Sequence, residues 1–164
     1  MSQQILIDCL SFVRDAGDME GNLPLERFLR LNEYLTENVG SVAYRLYGRI
    51  DADGRKQLVL TVEGELSLHC QRCLEAVVYP LHVDSVLELV RSDDDLSQED
   101  LEDDSKDFLV AQRDLDVVGL IEDEIILALP VAPRHENCTL PSAGRGTVKD
   151  SPFAALAALK GKDA

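Results

Sequence analysis

Four side chains in this sequence have the types and spacing for metal chemistry: Cys70 and Cys73 in a Cys-x-x-Cys, and His135 and Cys138 in a His-x-x-Cys. Two thiols three positions apart on a turn can reach one ion at about 2.3 Å, and a second pair of donors completes a tetrahedron. The stretch between Cys73 and His135 is longer than in an ordinary zinc finger, so only a fold that brings two turns together closes the set. Three readings are open: zinc held by these four residues, a pair of turns that holds no metal, and thiol-disulfide exchange at Cys70 and Cys73. The third needs a depressed thiol pKa of the kind a helix N-terminus supplies, whereas this Cys-x-x-Cys falls at a turn between two expected strands. Cys9 stands apart and reads as a small buried hydrophobe.

Other chemistry is sparse. Glu122, Asp123 and Glu124 are consecutive, and consecutive helix residues point in different directions, so they suit capping or pairing with an arginine better than acid-base work. His69 and His82 read as surface residues of strands. No Gly-rich phosphate loop, nucleophile elbow or metalloprotease motif is present, and nothing argues for catalysis or for a small-molecule substrate. The net charge is -15, and residues 93–107 hold nine acids and one lysine of it. Such a field repels a phosphate backbone and favours a basic protein partner. Residues 92–107 are expected to form a flexible, solvated acidic loop.

The elements that position these groups follow from apolar spacing. Val117, Val118, Ile121, Ile125, Ala128 and Leu129 recur three and four apart, predicting a helix over about 115–129 that is capped by Asp114 or Asp116, stopped by Pro130 and weakened at Gly119. From 41 to 90 the period is two: Val42, Tyr44, Leu46, then Leu58, Leu60, Val62, Leu66, Leu68, then Val77, Tyr79, Leu81, Val83. The turn at Asp53-Gly54 and the one at Gln71-Arg72 join these runs into an antiparallel meander, with Pro80 suited to an edge. The main helix is expected to cover one face of that meander. Strands are also expected near 5–7 and 108–110, a loop over 14–22, and a short helix over about 24–36 with Leu25, Phe28, Leu29 and Leu35 on its face.

The fold class expected is therefore α+β: an antiparallel β-meander covered by a main helix, with a short N-terminal helix, an acidic loop and a short C-terminal helix. Residues 1–138 form one domain. Residues 139–164 are a linker followed by a helix that starts at Ser151 and Pro152 and carries Phe153, Leu156 and Ala157 on one side. The start lacks a basic leader and no long apolar span occurs, so a soluble cytoplasmic protein with reduced thiols is expected, without membrane contact.

Three segments, LSLHCQRCLEAVVYPL, LIEDEIILALPVAPRHENC and SPFAALAALK, occur in this order and together resemble the YceD family of large ribosomal RNA subunit accumulation proteins. The resemblance implies a non-enzymatic role in the maturation or accumulation of 23S rRNA, with a large-subunit assembly intermediate, a ribosomal protein or pre-rRNA as partner. Some relatives carry a second Cys-x-x-Cys where this chain has His135 and Cys138. On this reading the acidic run mimics polyphosphate toward a basic ribosomal protein. Glu122, Glu124, Arg72, Arg134, Pro152, Phe153 and Leu156 are candidate partner contacts, and Arg45, Arg49, Arg72, Arg134 and the basic tail are candidate RNA contacts. The alternative is a zinc or thiol module that acts on ribosome assembly indirectly, for example through metal supply.

Overall fold

The computed structural model describes residues 4–141. In chain order the elements are β1 (Leu6–Ile7), α1 (Cys9–Arg14), β2 (Asp18–Pro24), β3 (Ser41–Ile50), β4 (Lys56–His69), β5 (Ala76–Val90), α2 (Gln98–Glu102), β6 (Asp107–Val110), β7 (Leu115–Asp116) and α3 (Val117–Ala128). Short 3-10 turns occupy Leu25–Arg27, Leu31–Glu33 and Asp93–Asp95. The larger sheet has the order β2-β3-β4-β5-β6, antiparallel except for the last pair, and β1 and β7 form a separate two-stranded ribbon. This is the α+β architecture that the apolar periods predict.

The three long strands hold the expected alternation. Val42, Leu46, Leu58, Leu60, Val62, Leu66, Leu68, Leu81 and Val83 are buried on one face, while Arg45, Glu63, His82 and Asp84 stand exposed on the other. Pro80 pairs with Glu65 on β4, and β6 lies along only residues 87–90 of β5, so the proline does fall on an edge. α1 and α3 cover the apolar face, α1 over β3 and β4 and α3 over β5 and β4. Val117, Ile121 and Ile125 of α3 are fully buried, each contributing roughly 1.5–3 kcal/mol. Asp116 caps α3 by accepting from the Val118 N–H at 3.1 Å.

Two expectations are corrected. The helix over 24–36 does not form. Leu25, Phe28, Leu31 and Leu35 are buried at a spacing of three and four, which also suits 3-10 turns, and the extended backbone of Phe28 interrupts the run. Leu29, expected on the buried face, is exposed. The competing partner is tertiary: the Glu122 carboxylate accepts from the backbone N–H groups of Arg30 at 2.6 Å and Leu31 at 3.1 Å, and from the Arg30 guanidinium at 3.0 Å. Next, residues 14–22 are not simply a loop, because they enter β2, whose inward positions are Met19, Gly21 and Leu23. The glycine hides the period, and its missing side chain leaves room for the Tyr44 ring 3.1 Å from where a Cβ would stand. α1 was also hidden, since six residues are too few to show a helical period.

The acidic stretch carries short elements of its own. β5 and β6 are parallel, so the chain between them must cross over, and residues 91–106 do so. They carry α2, which Ser97 opens with a reciprocal cap to Asp100, while Lys106 bridges Asp100 and Asp103. Among the described residues no helix is long and apolar enough to cross a membrane.

Two substitutions test this packing. Glu122→Ala leaves buried N–H groups of Arg30 and Leu31 without an acceptor and is expected to cost roughly 2–3 kcal/mol in urea denaturation, whereas Leu127→Ala, at an exposed position of the same helix, stays within about 0.5 kcal/mol. Gly48→Ala places a Cβ 2.7 Å from the Val13 Cα where α1 crosses β3, and roughly 1–3 kcal/mol of stability is expected to be lost by the same measurement.

Candidate metal centre

Chain direction alone keeps Cys70 and Cys73 far from His135 and Cys138, and the fold removes that distance. β4 ends at His69 and β5 starts at Ala76, so the first pair occupies the intervening turn. The turn is closed by the Cys70 N–H to the Glu75 carbonyl and the Leu74 N–H to the Cys70 carbonyl, both at 2.9 Å, with Leu74 in the left-handed region at φ +66°. α3 runs back across the sheet toward the same end. Pro130 stops it, and the chain then passes beside the turn, where the Gln71 N–H donates to the Pro133 carbonyl at 2.8 Å. His135 and Cys138 are thereby delivered to the two cysteines.

The four donor atoms lie within 4.8 Å of one another. Cys70 Sγ is 3.7 Å from Cys138 Sγ, and Cys73 Sγ is 3.3 Å from His135 Nδ1. A tetrahedral ion with metal-sulfur bonds of about 2.3 Å requires sulfur-sulfur edges of about 3.8 Å, so the set has the dimensions of a zinc site. The surroundings suit the same role. His135 Nε2 is 2.9 Å from the Ala76 carbonyl, which can only accept, so Nε2 carries the proton and Nδ1 turns its lone pair toward the cluster. Arg72 Nη1 donates to the Cys138 carbonyl at 3.0 Å and pins the second pair.

Electrostatics divide the thiols. Burial works against ionisation of Cys70, but hydrogen bonds from the backbones of Cys73, Arg72 and His135 and from the Cys73 thiol outweigh it and hold its pKa at about 5. Burial pushes the Cys138 thiol up, and the neighbouring Cys70 and Cys73 push the same way. A bound cation would supply the charge that favours ionised thiolates at all three cysteines. These are the residues that the sequence singles out as donors, and all four come together. The Ala76 carbonyl and the Gln71–Pro133 contact were not legible, because a backbone carbonyl leaves no mark in a sequence.

The other candidate residues are placed differently. Glu122 faces inward onto Arg30 and Leu31, and Glu124 accepts from the Ser85 hydroxyl at 2.5 Å, so both work inside the fold. Arg45 pairs with Asp18 at 2.6 Å and lies over the Tyr47 ring, and Arg49 donates to Gln57 at 2.8 Å. Arg134 is exposed beside a cleft shared with Val78 and Pro130. Pro152, Phe153 and Leu156 lie outside the described residues.

Residues 58–160 match the family model described as large ribosomal RNA subunit accumulation protein YceD. The chain belongs to the YceD family. The match begins inside β4 and includes β5, α3 and both halves of the donor set. A Haemophilus influenzae protein named large ribosomal RNA subunit accumulation protein YceD is 32% identical over 125 residues, covering 67% of this chain and 70% of that relative. No solved structure matches.

If the four residues act as one site, purified protein carries about one zinc per chain by elemental analysis, and chelation lowers its melting temperature. Cys73→Ser and His135→Ala are each expected to abolish stoichiometric metal, whereas His135→Cys, which keeps a soft donor, retains it. Equal stability with and without chelator would refute a structural ion.

Proposed function

We propose that this protein supports accumulation of the large-subunit (23S) ribosomal RNA without catalysing a reaction, as a docking factor for a large-subunit assembly intermediate or a ribosomal protein within it. The observation that carries this reading is the completeness of the donor set. Cys70, Cys73, His135 and Cys138 could supply all four positions of a tetrahedron, and a catalytic ion needs one position open to water or substrate. A metal held this way would lock the end of the β4–β5 hairpin to the segment after α3 and shape a surface.

Charge supports a protein as the direct contact. The chain carries -15 overall, and three arginines on and beside the open face of the sheet already have partners, Arg45 in Asp18, Arg49 in the neutral Gln57 and Arg55 in Glu88 at 3.2 Å. A phosphate backbone would have to displace these partners against the net field, whereas a basic ribosomal protein meets complementary charge in the crossover over 91–106. The printed name of the Haemophilus relative agrees with the process.

Sedimentation of cell lysate decides the matter. The protein is expected in fractions holding large-subunit precursors at low salt and to leave them at high salt, since the contact is electrostatic. A deletion strain is expected to show a lowered ratio of large-subunit to small-subunit rRNA. Absence from those fractions together with an unchanged ratio would refute the proposal.

A further inference from the structure

Among the clefts of the described residues, one has mainly apolar walls and lies beside the donor set. Between the Leu31–Glu33 turn, the end of β4 and the C-terminal end of α3 lies a groove of about 300 Å³ with mainly apolar walls that include Tyr34, Leu68, Ile126, Leu129 and Val131, and Glu33 as its carboxylate. Tyr34 is half exposed and Val131 fully exposed, so apolar surface continues past the rim. Gln71 and Pro133, which join the two halves of the donor set, also line it.

The chain itself holds a segment of matching chemistry. Phe153, Leu156, Ala157 and Lys160 fall at helical spacing i, i+3, i+4 and i+7, behind a Ser151 cap and a Pro152 suited to a first turn. Ten residues do not hold a helix alone in water, so this pattern needs a surface to bury its stripe. Reach is sufficient: residues 142–150 extended span at most about 30 Å, and the groove adjoins the turns that hold Cys138. Charge agrees as well, since residues 142–164 carry four basic and two acidic residues on a chain of net charge -15. The family match covers most of the groove's wall positions and ends at residue 160, the end of this segment.

We propose that residues 151–160 dock in cis as a short helix in this groove, with Phe153 between Tyr34 and Leu129 and the terminal lysines toward Glu33. Tethering gives the segment an effective concentration in the millimolar range, so even weak intrinsic affinity keeps the groove covered until a partner segment competes for it. The inference concerns the free protein and stands or falls separately from the role in rRNA accumulation.

The test is nuclear magnetic resonance on the full chain with labelled methyl groups. Cross-peaks between the Phe153 ring and the methyls of Ile126 and Leu129, unchanged over a wide dilution series, are the expected result. Phe153→Ala should abolish them and raise amide exchange at the end of α3 by about tenfold, while the rest of the spectrum stays put. Cross-peaks that fade on dilution would assign the groove to a second copy and overturn the proposal, as would contacts from Phe153 to another face or none at all.

Discussion

The seating of α3 on the sheet is the constraint from which the rest follows. A meander of three long strands presents an unbroken apolar face, and that face must be covered before the sheet is stable in water. α3 supplies Val117, Ile121 and Ile125 to it, while Glu122, one step round the helix, reaches sideways to collect the N–H groups of Arg30 and Leu31. A buried carboxylate is costly unless every lone pair is used, and here it is used to tie the segment over 25–35 to the helix. One residue thus joins the helix to a part of the chain whose own regular structure is two short 3-10 turns.

The direction of α3 then decides where the donor pairs meet. The helix ends near the β4–β5 turn, Pro130 breaks it, and a short segment held by the Pro133 carbonyl brings His135 and Cys138 onto Cys70 and Cys73. The site is a consequence of packing at a distance, and in return a cation there would fasten the segment after α3 to the hairpin. The same junction forms a wall of the apolar groove, since Gln71 and Pro133 line it.

Electrostatics give the molecule its bias toward partners. Arg45 and Arg55 are paired with Asp18 and Glu88, and eight of the 31 acids lie in a crossover that a parallel β5–β6 pair obliges the chain to make. That crossover is capped and bridged by Ser97 and Lys106, so the negative field is presented from a folded segment. Membership of the YceD family rests on the match through residues 58–160, and the physical reading of a docking body agrees with it.

Much of this was legible from the chain alone. Period-two runs mark β3, β4 and β5 because one face of each is buried, period 3.6 marks α3 for the same reason, and the four candidate donors stand out by type and spacing. Where local patterns are ambiguous or short, the sequence is silent or misleading. The spacing of Leu25, Phe28, Leu31 and Leu35 serves a helix and a pair of 3-10 turns equally well, and distant partners choose between them, the carboxylate of Glu122 and the Leu35–Leu68 bridge to β4. Gly21 conceals a strand by being small, and Glu124 turns inward because Ser85 happens to face it. Local periodicity and donor chemistry were therefore set by the residues themselves, whereas the meeting of distant donors, the inward use of the carboxylates and the fate of residues 25–35 were decided by tertiary contacts whose partners no short window contains.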